Sequence, residues 1–369
     1  MPVRTVLAAL ALAASALHAG AAAPRPQTLY QAPPHQQIAA FAQDGPFLAW
    51  FAPSAKSCNV VHVLALANGG QVRLPDETAN APNVTCHWVV VPPVRLALAE
   101  SADNVLWTLR EPAPVPFDYV LGAGVADPLE RRFAEVAHGK SGTGLWLGGV
   151  AGDGSTLVYA TASVAYVDEV ACLAGGSCRK KLVGGGIHRI VGRTDRLVPN
   201  TEATIAVAVS NDRIADVQAA AAVGTSGTPM ASASLPVEVR DAQTGKVTAR
   251  VVPRGVPEAV ALSTKVLATL ERSSLGLRIA WYDPDDGSPK GSVPVPEGTS
   301  DELSTSDQLI VFRVGRSIRT VDVDSHAVHT LANAAAAPIG VSVEGSRIAW
   351  AENVKGRGRI RAIFVNGRG

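Results

Sequence analysis

A six-residue phrase returns seven times along this chain. It runs turn-former, two variable residues, an aliphatic residue, a small or aliphatic one and often an aromatic. Gly45-Pro46-Phe47-Leu48-Ala49-Trp50 comes back three hundred residues later as Gly345-Ser346-Arg347-Ile348-Ala349-Trp350. Gly154-Ser155-Thr156-Leu157-Val158-Tyr159 and Asp307-Gln308-Leu309-Ile310-Val311-Phe312 are further good copies, and shorter ones begin at Ala102, Asn211 and Thr264. The starts lie 57, 52, 57, 53, 43 and 38 residues apart. A period near 40 to 50 residues is that of a unit unable to bury its apolar face alone, which must stack on copies of itself. The first four intervals carry insertions.

A second phrase follows most copies and reads as two strands around a turn. Val237 to Val247 alternates and turns at Thr244-Gly245; Val61 to Leu74, Leu277 to Val295 and Ile318 to Leu331 do the same. With the strand before the turn-former and the aliphatic strand after it, each unit has four antiparallel strands. Gly and Pro supply 59 of 369 residues, as a turn-rich all-β chain requires. The expected fold is therefore an all-β, seven-bladed β-propeller of four-stranded antiparallel blades. The last unit ends after one strand beyond its phrase, Arg359 to Val365, while Gln27 to Gln31 precedes the first unit without a partner. The N-terminal strand is expected to close the last blade, because closure removes exposed strand edges.

On the phrase copies at Gly45, Gly154, Asp307 and Gly345, nearly the whole chain resembles secreted or periplasmic β-propellers with Tol-B-like and WD-repeat-like blades. Members of that group place Asp-Gly before the aliphatic strand. Here the dipeptide stands at Asp44-Gly45 and Asp153-Gly154 and becomes Glu344-Gly345 in the last copy; no Trp-Asp occurs. The resemblance implies a binding scaffold and carries over no ligand and no functional residue.

Residues 1–21 read as a cleaved signal peptide, leaving 22–369 as one propeller domain. Arg4 supplies the positive start, Val6 to Leu17 the apolar run, and Ala19-Gly20-Ala21 the small-x-small cleavage pattern. The twelve-residue run is shorter than a membrane span needs, and no later stretch is long and apolar enough, so no transmembrane segment is expected after cleavage. Localisation is expected to be extracytoplasmic, secreted or periplasmic. Disulfides suit that compartment. Four cysteines allow three pairings; Cys172 with Cys178 and Cys58 with Cys86 is the expected one, since no spacing fits a zinc site.

No catalytic residue and no cofactor is assigned. No Gly-x-Ser-x-Gly elbow occurs. The densest acidic cluster, Asp283, Asp285 and Asp286, is a weak candidate for a metal and also the chemistry of a hairpin turn. Arg179, Lys180 and Lys181, in a segment read as an insertion from Asp168 to Asn200, form a candidate recognition loop; a second insertion, Val217 to Leu235, reads as a flexible loop. Arg359 and Arg361 share one strand face and read either as an anionic-surface contact or as a solvated edge. With 33 basic and 32 acidic residues, nucleic acid is excluded as a bulk electrostatic partner. The expected function is a monomeric, non-catalytic binding propeller for a protein or cell-envelope polymer. The alternative is a propeller-fold enzyme, a metal-dependent lyase or hydrolase or an oxidoreductase, with ionisable groups from several blades at one channel mouth.

Overall fold

The computed structural model describes residues 25–365 apart from 54–58, 67–69, 74–90, 100–103, 113–118, 128–131, 141–144, 167–179, 192–193, 203, 219–221 and 224–235. All four cysteines, the leader and Arg179 lie outside the described residues. Seven antiparallel sheets account for the strands. Blade 1 is β2 Ala40–Asp44, β3 Phe47–Pro53, β4 Asn59–Ala65 and β5 Gly70–Arg73, preceded in the chain by β1 Gln27–Gln31. Blade 2 is β6 Val91–Ala99, β7 Asn104–Pro112, β8 Tyr119–Asp127 and β9 Arg132–Lys140; blade 3 is β10 Leu145–Asp153, β11 Thr156–Tyr166, β12 Lys180–Val191 and β13 Thr194–Leu197. Blade 4 is β14 Thr204–Ser210, β15 Arg213–Gln218, β17 Val237–Asp241 and β18 Val247–Val251, with β16 Ala222–Val223 between β15 and β17 in the chain. Blade 5 is β19 Val256–Leu262, β20 Leu267–Ser273, β21 Gly276–Tyr282 and β22 Pro289–Val295; blade 6 is β23 Thr299–Thr305, β24 Leu309–Val314, β25 Ser317–Asp322 and β26 Val328–Asn333. Blade 7 is β27 Pro338–Glu344, β28 Arg347–Val354 and β29 Arg357–Phe364, with β1 as its outer strand.

Strands alternate their side chains between two faces, so each blade buries one face against the preceding blade and one against the next. The core accordingly divides into one apolar cluster per seam. Trp107 and Val105 of blade 2 meet Phe51 and Val61 of blade 1; Ile310 and Phe312 of blade 6 meet Leu270 and Trp281 of blade 5. Trp50 and Leu48 of blade 1 meet Ala351 and Ile360 of blade 7, which closes the ring. The sixth position of the repeated phrase faces the preceding blade throughout. Trp50, Trp107, Tyr159, Phe312 and Trp350 occupy it in five blades and are all buried; Asp216 and Thr269 occupy it in blades 4 and 5.

The seven innermost strands stand side by side around the axis, and β27 returns to β2. Two glycines let backbones meet there. A Cβ at Gly340, whose φ is +62°, would lie 2.4 Å from the Phe41 carbonyl oxygen; a Cβ at Gly152 would lie 2.4 Å from that of Leu98. A larger residue at either place forces neighbouring blades apart.

β1 pairs with β29, as the closure argument required. The basic run at the C-terminus has a different role from both readings made of it. Arg361 donates from Nη2 to the Pro26 carbonyl at 2.7 Å and from Nε to that of Gln27 at 3.3 Å. Arg357 donates to the Ala32 carbonyl, and Arg359 pairs with buried Glu352 at 2.7 Å. Arg361 and Arg357 hold the closing strand at its two ends, while Arg359 ties β29 to β28. β29 is covered by β1, so it is neither a solvated edge nor, through these side chains, an anion-binding face.

Candidate functional site

In blades 1 and 3–7, where it is described, the turn joining the first two strands stands at the end of the innermost strand, and the repeated phrase puts its turn-former there. Acidic turn residues bind the turns of other blades. Asp44 accepts from the Gly154 N–H at 2.9 Å, spanning from blade 1 to blade 3. Asp153 accepts from the Asn211 N–H at 2.7 Å, linking blades 3 and 4. Asp307 accepts from the Lys265 N–H at 3.0 Å and from the Thr264 hydroxyl, linking blades 6 and 5. Arg213 reaches from blade 4 to the Thr264 carbonyl at 2.7 Å and to Asp285 at 2.6 Å.

Asp44, Asp153 and Glu344 come from blades 1, 3 and 7, and one carboxylate oxygen of each lies within 4.8 Å of the others. Among the described residues this is the one such cluster of three potential metal ligands. Asp44 is buried. Arg347 lies beside Glu344 and Asp44, whose charges favour its cationic form, while burial holds its pKa below the ordinary arginine range. Its guanidinium donates to the Gly45 carbonyl at 2.6 Å and to Gln43 Oε1 at 2.8 Å. The sequence reading passed over this trio as a site. Its signal was there: an acid before glycine in three copies of the phrase, residues 44, 153 and 344.

Asp283, Asp285 and Asp286 form the hairpin turn of blade 5. Asp283 accepts from the Asp285 N–H and pairs with Lys290, both at 2.8 Å. Asp286 accepts from the Ser288 N–H at 2.7 Å. These bonds hold both carboxyls below their usual pKa; the first cause is Lys290 for Asp283 and Ser288 for Asp286.

Lys180 and Lys181 open strand β12 and do not lie on a loop, and much of the segment read as an insertion is the outer hairpin of blade 3. The segment after blade 4's second strand also contributes structure. Ala222 and Val223 pair antiparallel with Lys181 and Lys180. Two stretches about forty residues apart in sequence thus meet on one sheet edge, blade 4 lending blade 3 a fifth strand.

Blade 3 also holds a hydroxyl–imidazole–carboxylate chain. Thr161 Oγ1 lies 3.0 Å from His188 Nε2, and His188 Nδ1 lies 2.9 Å from Asp195. Asp195 accepts from the Tyr159 hydroxyl at 2.8 Å, and Tyr159 stacks on the His188 ring. Burial and Asp195 push the Tyr159 phenol upward in pKa. The connectivity is that of an acyl-transfer triad. Thr161, however, is only 4% exposed and also bonds the Gly186 carbonyl, so the chain ties the second, third and fourth strands of the blade together.

No family model matches the chain, and no curated protein matches it by sequence. Solved structures do match in shape. A chain of the "Crystal Structure of Mitotic Checkpoint Complex" shares 11% identity at a TM-score of 0.52, covering 93% of this chain and 92% of that one. The acylaminoacyl peptidase of Pyrococcus horikoshii shares 10% identity at a TM-score of 0.51, covering 88% of this chain and 49% of that one. The β-propeller domain of the Trilobed protease from Pyrococcus furiosus shares 10% identity at 0.49. At such identities the likeness shows the β-propeller fold alone. Among the described residues no helix is long and apolar enough to cross a membrane.

Proposed function

We propose that this chain is an exported binding propeller that recognises a protein or an anionic cell-envelope polymer at the outer edge of blade 3. The observation that carries the reading is the pairing of Ala222–Val223 with Lys180–Lys181. It plants a segment of blade 4 beside a basic dipeptide on a sheet that the ring holds rigid. Recognition residues placed on a rigid scaffold lose less freedom on binding than those of a free loop, and lysines attract anionic groups at a distance. The leader-like segment at residues 1–21 supports the extracytoplasmic part of the reading, and cysteines 58, 86, 172 and 178 support it through their fit to an oxidising compartment.

Co-sedimentation of the purified mature protein with isolated envelope fractions tests it. Binding that falls at least tenfold in a Lys180→Glu, Lys181→Glu variant, and falls with added salt in the parent, is the expected result. Equal binding by both proteins, or none by either, overturns it. Fractionation of cells expressing the full chain tests export: a product beginning near Ala22 outside the cytoplasm is expected.

A second reading, an enzyme with its site at the channel mouth, is favoured by the convergence of Asp44, Asp153 and Glu344 from three blades. Turnover lost in Glu344→Gln and kept in the lysine variant would put it first.

A further inference from the structure

We propose that the outer hairpin of blade 3, on its face toward blade 4, binds a phosphate-class oxyanion between Arg189 and Arg196. The strand register brings the two together. Arg189 of β12 pairs directly with Arg196 of β13. Opposite residues of an antiparallel pair share one face, with Cβ atoms about 4.5–5.5 Å apart. The next strand inward fixes which face it is. Val158 of β11 stands opposite Arg189 and packs in the seam with Ile214 and Ala242 of blade 4. One row thus crosses the sheet from buried Val158 through half-buried Arg189 to exposed Arg196.

Two like charges directly opposite one another destabilise a sheet, and a shared counter-ion removes the repulsion. A second observation points to such an ion. Arg189 Nε is buried without a hydrogen-bond partner, a destabilising state for a charged donor. The neighbouring acids are engaged elsewhere. Asp195 lies on the opposite face, with His188 at 2.9 Å. Asp241, in the hairpin turn of blade 4, has its carboxyl held below the usual pKa by Thr244 first and by the Arg189 charge to a smaller degree. Its Oδ1 accepts from the Thr244 N–H at 2.7 Å, the Thr244 hydroxyl at 2.6 Å and the Gln243 N–H at 3.2 Å. One negative charge beside two positive ones leaves the place cationic.

The donor set selects the ligand. Each guanidinium presents a planar fork of N–H groups that matches two oxygens of one anion. A carboxylate satisfies one fork, whereas a tetrahedral phosphate has oxygens for both. Lys180 and Lys181 open the same strand, roughly 25–30 Å away at 3.2–3.4 Å per residue, so the inference stands apart from the envelope-binding reading.

Titration calorimetry of the mature protein with sodium phosphate tests it, in a chloride buffer of physiological ionic strength, where charges beyond about 8 Å are largely screened. Glycerol phosphate and sodium acetate are further arms, with thermal melting in parallel. One phosphate per chain is expected, at least tenfold tighter than acetate, with a raised melting midpoint. Tighter binding of glycerol phosphate supports the proposal with a phosphate ester as the source, and the reverse order supports it with the free ion. Arg189→Gln and, independently, Arg196→Gln should each melt cooperatively and weaken phosphate at least tenfold. Without phosphate, Arg196→Gln should melt no lower than the parent, because the repulsion is gone. Asp241→Asn should tighten phosphate severalfold. Arg254→Gln combined with Lys355→Gln, exposed basic residues elsewhere on the ring, should bind phosphate as the parent does, and so should the Lys180→Glu, Lys181→Glu variant. The proposal is overturned by no stoichiometric binding in the parent, by acetate binding as tightly as phosphate, or by unchanged phosphate binding in both arginine variants.

Discussion

The seam between blades 6 and 7 and the seam between blades 3 and 4 are built on the same position of the same phrase, yet by opposite chemistry. At the first, Trp350 packs with Val311, Ile318 and Ile363. Its indole nitrogen is buried without a partner, so it works through volume and dispersion. At the second, the phrase supplies Asp216, fully buried, and Arg240 answers it with Nε at 2.7 Å. Arg240 also pairs with buried Glu238 and donates to the Asn200 carbonyl at 3.1 Å; Arg250 pairs with Glu238 from the outer strand. Asp216 Oδ2 has no partner. An aromatic wedge stabilises by filling space. A buried ion pair gives back in attraction roughly what it costs in desolvation, and is unforgiving when one member is lost. Blades 5 and 7 show an intermediate solution. Buried Glu271 and Glu352 each pair with an arginine on the next strand and accept backbone N–H groups from the linker into their own blade, Gly255 for the first, Ala335 and Ala336 for the second.

The contrast can be broken most forcefully from its apolar side. Trp350→Ala should cost about 3–5 kcal/mol in denaturant unfolding, whereas Trp350→Phe should cost much less, since no hydrogen bond goes with the indole. On the ionic side, Arg240→Met should cost about 3–5 kcal/mol by stranding Asp216 and Glu238. The triple change Asp216→Leu, Glu238→Met, Arg240→Met should recover most of that loss. A triple variant as unstable as Arg240→Met would mean the seam depends on the ions themselves.

Acidity sharpens the same comparison. Burial raises the Asp216 carboxyl to about 6, against the opposing pull of Arg240. The folded chain therefore holds a proton there that the unfolded chain, ionising near the ordinary carboxylate value of 3.8, has already released. This group's contribution is present below that lower value and is lost as pH rises through about 6. Unfolding free energies measured across this window should lose that component of their slope in Asp216→Asn and retain it in Trp350→Phe. The smallest effect belongs to the closing blade. Arg361→Ala should cost on the order of 1 kcal/mol and show chiefly as faster amide exchange in Gln27–Gln31.

Much of this architecture was legible in the residues. The phrase copies gave the number of blades, and the strand missing after Val365 pointed to Gln27–Gln31 as its replacement, because periodicity and unsatisfied edges are local properties. The outer hairpin of blade 3 was read as an insertion because its turn falls late in a long interval and its residues, Lys180 to Val191, include three glycines in a row. The arginines of β29 were read as surface charge because their acceptors, the carbonyls of Pro26, Gln27 and Ala32, lie more than three hundred residues away.

The sequence by itself determined that the chain forms repeated four-stranded units with one apolar face toward each neighbour, since alternation and turn chemistry act over a few residues. Only the tertiary structure decided which acids meet. Asp44, Asp153 and Glu344 are separated by more than a hundred residues at each step, and only the circular arrangement of blades 1, 3 and 7 around a narrow axis brings their carboxylates within 4.8 Å.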